Sequence, residues 1–265
     1  MTTATAIDQK VLLRDDSNGI ATLTLNRPKQ YNALSEELLG ELQHALKAIE
    51  RDESVRVVVI AGSGPAFCAG HDLKQMRADP RKSYYDQLFA QCSEVMKSIT
   101  RLPQPVIARV HGIATAAGCQ LVAQCDLAVA SDNARFAVSG INVGLFCSTP
   151  SVPLARNMLR KQAMEMLLTG DMVSADEACR IGLVNRVVKG GTAQEEALGL
   201  AGKVASKSAA VVKLGKEAFY RQVEMDLPDA YAYASQVMVT NMLARDAGEG
   251  IAAFVEKRAP KWEDR

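Results

Sequence analysis

Apolar residues recur along this chain at two periods. Short apolar-rich stretches at 11–14 and 20–25, separated by the turn formers Asp15-Asp16-Ser17-Asn18-Gly19, predict two strands joined as a hairpin. Ser35 then stands where an N-cap is expected. Glu36 and Glu37 fill the first turn behind it, and Leu38, Leu39, Leu42, Leu46 and Ile49 follow at helical spacing. The run Arg56-Val57-Val58-Val59-Ile60-Ala61-Gly62 reads as a buried strand bounded by glycine. A helix at 84–99, a strand at 105–110, a helix at 117–124 and a strand at 126–130 follow. Strand, turn and helix alternate to about 136, which predicts an α/β fold with parallel sheet and crossover helices.

Beyond 153 the pattern turns helical. Ser174-Ala175-Asp176-Glu177 forms a capping box before a short helix that Gly182 stops, and longer helices fit 194–206, 209–224, 228–244 and 248–257. The shift from sheet formers to helix formers divides the chain into a core at 1–190 and a helical region at 191–265, with no Pro/Gly/Ser linker between them. Met238, Val239, Met242 and Leu243 in that region suit either an oligomer interface or an intrachain core.

Composition narrows the function classes. Hydrophobic residues at 48% and charged residues at 23% are ordinary globular values, and a net charge of +1 argues against a strongly basic nucleic-acid surface. The first ten residues carry Asp8 and lack both the apolar core of a secretory signal and the Arg-rich pattern of a transit peptide, so a cytoplasmic protein is expected. The least charged stretch, at 109–126, is too short and too rich in Ala, Gly, Thr and Gln to span a bilayer. Six cysteines, at 68, 92, 119, 125, 147 and 179, show no Cys-x-x-Cys pair and no zinc-ligand spacing; they are expected to be reduced and mostly buried. No phosphate loop, dinucleotide fingerprint, Gly-x-Ser-x-Gly elbow or His-Glu-x-x-His motif occurs.

The chemistry concentrates in two small-residue turns, Pro65-Ala66-Phe67-Cys68-Ala69-Gly70-His71-Asp72-Leu73 and Val110-His111-Gly112-Ile113-Ala114-Thr115-Ala116-Ala117-Gly118-Cys119-Gln120. Small residues let main-chain N–H groups approach a ligand, and two such turns on one site can donate two hydrogen bonds to one oxygen.

These turns, with Leu25-Asn26-Arg27-Pro28-Lys29, Asn32-Ala33-Leu34, Cys125-Asp126, Gly182-Leu183-Val184 and Phe254-Val255-Glu256-Lys257-Arg258, resemble the enoyl-CoA hydratase/isomerase, or crotonase, superfamily along nearly the whole chain. The resemblance implies a crotonase-like ββα spiral core with a helical C-terminal trimerisation region, in homotrimers or dimers of trimers. It implies an acyl-CoA thioester as ligand, with coenzyme A entering as part of the substrate and no tightly bound cofactor or metal. The oxyanion hole falls on the N–H groups of His71 and Ala117, next to a helix start that favours negative charge. The His71 side chain is then either incidental or a base beside the thioester. The coenzyme A cradle falls on Lys29, Gln30, Tyr31, Ala69, Asp72 and Leu73, with Phe254 and Lys257 reaching the coenzyme of the same or an adjacent subunit. A solvated helix end accounts equally for Lys257 and Arg258.

The pattern departs from the family where hydratases carry two glutamates, for Gln120 and Gly140 stand at those places. Hydration needs a base for the water and an acid for the α-carbon, each contributing roughly 10²–10⁴-fold; glutamine does not titrate near neutrality and glycine offers no side chain. The following loop, Leu145-Phe146-Cys147-Ser148-Thr149-Pro150, holds no acid either. Within the superfamily this combination most resembles the enoyl-CoA hydratase domain-containing protein three type. A nominal hydratase or isomerase whose reaction is weak or different is one expectation, and a non-catalytic acyl-CoA binder or sensor is the other. Cys119 and Cys147 are expected as core cysteines rather than nucleophiles, Ser148 and Thr149 as a turn ahead of Pro150, and Asp72 and Asp126 as fixing backbone geometry. Restoring both carboxylates, Gln120→Glu with Gly140→Glu, is expected to raise hydration if the scaffold still positions a water.

Overall fold

The computed structural model describes residues 10–265; residues 1–9, which bear on the expectation at the N-terminus, lie outside the described residues. β1 (Leu12–Ser17) and β2 (Ile20–Leu25) pair antiparallel with Ser17 opposite Ile20. The connection is therefore the two residues Asn18-Gly19, both at positive φ, a turn whose twist matches the strands. Asp15, Asp16 and Ser17 belong to the exposed edge strand, where charge discourages further pairing. In α1 (Glu36–Glu50) the Ser35 hydroxyl accepts from the Leu38 amide at 3.2 Å and the predicted leucines face inward.

The chain then repeats one unit three times: a long strand, a short strand, and helices. β3 (Val57–Gly62) and β4 (Ala66–Cys68) lead to α2 (Leu73–Ala78) and α3 (Lys82–Arg101). β5 (Val106–Val110) and β6 (Ile113–Thr115) lead to α4 (Ala117–Gln124). β7 (Leu127–Ser131) and β8 (Arg135–Ala137) lead to α5 (Ser148–Asn157) and α6 (Arg160–Thr169). β9 (Val173–Ser174), α7 (Ala175–Arg180), capped by Ser174, and β10 (Arg186–Val188) close the sheets, and α8 (Ala193–Ala205), α9 (Ala209–Gln222), α10 (Leu227–Met242) and α11 (Arg245–Glu256) follow.

Long strands form a six-stranded sheet in the order β1-β2-β3-β5-β7-β10, parallel from β2 onward, and short strands form a second sheet in the order β4-β6-β8-β9. This is the ββα spiral. On one face of the large sheet Val58, Ile60, Ala108, Val110, Ala128 and Ala130 pack toward α1, α3 and α4. On the other, Val57, Val59, Ile107 and Val129 pack against Ala197, Leu200 and Ala201 of α8. Each Val, Ile or Leu side chain among them withdrawn from water contributes about 1.5–3 kcal/mol.

α9 is fastened to this core by a buried ion pair. The Lys216 ammonium donates to Asp126 Oδ2 at 2.6 Å and to the carbonyls of Ile99 and Gln104, while Asp126 also accepts from the Val106 amide and the Tyr220 hydroxyl. Burial pulls the Lys216 pKa down, against the opposing pull of Asp126. Asp126 thus fixes backbone geometry where β5 and β7 begin, as expected. The tail folds back through Asp246, which accepts from the amides of Glu263 and Asp264, and Trp262, which donates to the Ser206 carbonyl. Met238, Val239, Met242 and Leu243 lie exposed on α10 and just beyond it. Among the described residues no helix is long and apolar enough to cross a membrane, and no group of His, Cys, Asp and Glu is arranged to hold a metal ion.

Candidate functional site

The two small-residue turns meet where the sheets adjoin. After β4, Gly70 takes a φ of +91°, a region that glycine enters without steric cost. His71 then bridges Leu34: the Leu34 amide donates to the Gly70 carbonyl at 2.7 Å, and the Asp72 amide to the Leu34 carbonyl at 3.2 Å. A parallel bridge made this way uses the neighbours of His71, so its own N–H faces away from Leu34 and has no main-chain acceptor among the described residues.

In the second turn Ala116 adopts φ 50° and ψ −120°, unusual for a residue with a side chain, and α4 starts at Ala117. The Ala116 amide donates to the Ala137 carbonyl and the Gln120 amide closes the first turn on the Ala116 carbonyl, whereas the first helical N–H, that of Ala117, has no intrahelical partner. Gly118 lies so close to the Cys68 carbonyl that any side chain there would overlap it, and this lets α4 seat against the end of β4. A Cβ added at Gly70 would lie 2.9 Å from the Ala116 Cβ and 3.2 Å from the Ala117 nitrogen. The Ala117 amide therefore stands one residue from the His71 amide. Two unpartnered N–H groups at a helix N-terminus suit an oxygen that gathers negative charge.

A second cluster borders them. Lys29 and Gln30 sit exposed in the short 3-10 turn Pro28–Gln30, and Tyr31 follows, also exposed, at positive φ. The Ala69 amide donates to the Tyr31 carbonyl at 3.0 Å, and the Arg27 guanidinium spans the Ala33 carbonyl and Asp72 Oδ2. Asn32, fully buried, accepts from the Arg27 amide and donates to the carbonyls of Ser63 and Ala66. Asp72 also caps α2 through the amides of Lys74 and Gln75. Burial pushes its carboxyl pKa up, but Arg27 and those amides outweigh it and hold the group below the usual carboxylate range. Tyr31 is thereby held against Ala69, and the turn that carries Lys29 and Gln30 is tied through Arg27 to Asp72, next to the exposed Leu73. Phe254, on α11, and Lys257, at its C-terminal end, are exposed and make no hydrogen bond to these turns. The Asn32 and Arg27 brace is a long-range feature that no local pattern signals.

The groups available for proton transfer are sparse. Gln120 lies on the helix face it shares with Ala117, 3% exposed, and its Oε1 has no donor. At Gly140 a Cβ would lie 2.5 Å from the Leu145 carbonyl oxygen and 2.8 Å from the Cys147 Sγ. A side chain at the second glutamate position would therefore press on the following loop. The His71 ring packs edge-on against Phe89 of α3, with centroids 5.4 Å apart, and burial pushes its pKa down to about 4. At neutral pH that imidazole is uncharged and a weak base. Phe89 was legible only as one apolar position in α3. Burial raises the Cys119 thiol to about 12, with a smaller push from the nearby Cys147, whose own thiol is also raised. Neither exists as a thiolate nucleophile at neutral pH. Ser148 and Thr149 begin α5 instead of forming a turn before it, because proline at the third position falls in a first turn, where a missing N–H is tolerated.

The sequence pattern of the enoyl-CoA hydratase/isomerase family matches residues 15–265. Among individual proteins, the chain is 49% identical over 245 residues to the rat mitochondrial enoyl-CoA hydratase domain-containing protein 3, covering 92% of this chain and 82% of the relative. It is 37% identical to a probable enoyl-CoA hydratase of Rhizobium meliloti, covering 97% and 99% of the two chains. Among solved structures, an enoyl-CoA hydratase of Mycobacterium smegmatis superimposes with a TM-score of 0.93 at 60% identity, covering 95% and 98%. The human enoyl-CoA hydratase domain-containing protein 3 superimposes with a TM-score of 0.92 at 48% identity, covering 95% and 100%. The rat, human, mouse, frog and zebrafish relatives of this type are mitochondrial by name, and this overturns the cytoplasmic expectation. That expectation rested on the pattern of the first ten residues alone, and a segment so short does not fix a compartment.

Proposed function

Because this chain belongs to the enoyl-CoA hydratase/isomerase family, and its fold and core are those of a crotonase, we propose that it binds an acyl-CoA thioester and holds the thioester oxygen between the His71 and Ala117 amides. The observation that carries this reading is the placement of the Ala117 nitrogen beside Gly70, with neither amide engaged by another main-chain carbonyl. Coenzyme A enters as part of the ligand, along Lys29, Gln30, Tyr31, Ala69, Asp72 and Leu73. No separate cofactor is needed. Homotrimers or dimers of trimers form through the helical C-terminus, where apolar side chains are exposed, and Phe254 and Lys257 reach the coenzyme of the same or an adjacent subunit.

The reaction is hydratase-like in its carbonyl polarisation and not in its proton handling. Two amide donors stabilise an enolate, but Gln120 can only orient a water or a hydroxyl without exchanging a proton, and Gly140 contributes nothing. Hydration of crotonyl-CoA is therefore weak, or the reaction differs. The closure around Gly140 favours the alternative of an acyl-CoA binder without turnover.

Binding of butyryl-CoA by calorimetry, with Gly70→Ala as the comparison, tests the main reading. Wild type is expected to bind, and the variant to lose most of the affinity because its new methyl group crowds the Ala117 nitrogen. Equal binding by both, or none by wild type, overturns it. Mass spectrometry of acyl-, enoyl- and dienoyl-CoA mixtures then separates the two forms, since multiple turnovers on any of them remove the binder.

A further inference from the structure

The large sheet carries an arginine whose charge no carboxylate answers among the described residues. Arg109 lies on β5 in register with Ala61 and Val129, and Val129 belongs to the face covered by α8. Strand alternation places Arg109 on that face too, opposite to the side where Ala108 and Val110 pack toward α4. Of the four half-buried arginines among the described residues, three are held by carboxylates: Arg27 by Asp72, Arg56 by Asp264 and Arg186 by Glu196. Arg109 makes no ion pair among the described residues. Its one hydrogen bond is a long contact of 3.5 Å from Nη2 to the Gly62 carbonyl, and its Nε is enclosed without an acceptor. Burial alone acts on its pKa, pulling it down, with no acid opposing.

Arginine stays protonated, so a partly desolvated guanidinium without an anion is an uncompensated cost. Its planar fork matches the two oxygens of a carboxylate or phosphate. Nη1 is not among the enclosed atoms, which leaves that edge open to a ligand. The neighbouring His111 does not answer the charge. Its Nε2 is engaged with the Gly64 carbonyl at 2.8 Å, which holds the loop after β3 beside the guanidinium.

We propose that Arg109 is the anchor of an oxyanion-binding site on the α8 face of the sheet, taking a phosphate or carboxylate group either free in solution or carried by a second copy of this chain.

The experiment compares full-length wild type with Arg109→Met, which keeps the aliphatic stem and removes the charge. In dilute protein and anion-poor chloride buffer, the variant is expected to melt at or above the wild-type temperature, because an unanswered charge has been removed. Inorganic phosphate at constant ionic strength should then raise the wild-type midpoint more than that of the variant. A crystal soaked in tungstate should show anomalous density at the Arg109 fork. If the source is instead a second copy, the wild-type midpoint rises with protein concentration more steeply than the variant's, and a neighbour's carboxylate occupies the fork. A variant that melts below wild type in dilute chloride, with phosphate and protein concentration moving both proteins equally, overturns the site and makes Arg109 a packing residue.

Discussion

Replacing Gly140 by alanine measures how firmly the second glutamate position is closed. Its φ lies outside the left-handed region, and at such a position the exchange ordinarily stabilises a protein by about 0.4–1 kcal/mol through the unfolded chain. Here the new methyl would lie 2.5 Å from the Leu145 carbonyl oxygen and 2.8 Å from the Cys147 Sγ. The carbonyl belongs to a backbone segment pinned by the hydrogen bond from the Leu145 amide to the Gly140 carbonyl at 2.9 Å, so it gives way less readily than a thiol. Overpacking of this kind costs about 1–3 kcal/mol, which reverses the sign of the ordinary effect. Net of that ordinary gain the loss is up to about 2.6 kcal/mol, which for a chain of this size lowers the melting temperature by up to about 10 °C. Urea unfolding followed by circular dichroism reads the change as a lower midpoint at unchanged slope. Adding Cys147→Ala should recover only part of the loss, since the carbonyl contact remains. A Gly140→Ala protein more stable than wild type would refute the argument and reopen the position to a side chain.

Gln120→Glu alone is expected to leave crotonyl-CoA hydration at least ~10²-fold below that of a two-glutamate relative, because one proton carrier is still missing; turnover matching the relative in a spectrophotometric assay would count against this account. His71 gives a pH dependence. Its folded pKa of about 4 lies below the ordinary 6.5, so the unfolded chain takes the proton first, and stability that is complete above the unfolded value is lost as pH falls toward the folded one. The loss approaches about 3 kcal/mol, and His71→Leu should flatten that part of the urea-midpoint profile; an unchanged profile contradicts the assignment. Lys216→Met strands Asp126 without its cation and should cost about 3–5 kcal/mol, whereas combining it with Asp126→Asn should recover part of that. Scanning calorimetry in which the double variant loses the sum of the two single-variant losses would mean that the two residues act independently.

Features set by local chemistry were legible in the chain itself. Ser35 and Ser174 cap the helices expected of them, and the helix from Ala117 to Gln124 has the bounds its composition suggested. The turn formers Asp15, Asp16 and Ser17 predict a five-residue loop in the hairpin, yet strand pairing overrides that preference and leaves only Asn18 and Gly19 in the turn. The second sheet leaves no mark in the sequence, since β4, β6 and β8 are three residues long and show no periodicity. At the site, the small-residue turns announced themselves, but the closure at Gly140 depends on where the Leu145 carbonyl falls after folding. The pairing of Arg27 with Asp72 spans 45 residues and is equally tertiary.

Asn32 ties the strand-end turn at Arg27 to the segment from Ser63 to Ala66 through three hydrogen bonds from one enclosed amide. Such a rivet makes the receptor stiff before any guest arrives, so association need not order these segments and should proceed without a slow closing phase. Their peptide protons should accordingly exchange with deuterium at nearly the same rate in the empty and the loaded protein.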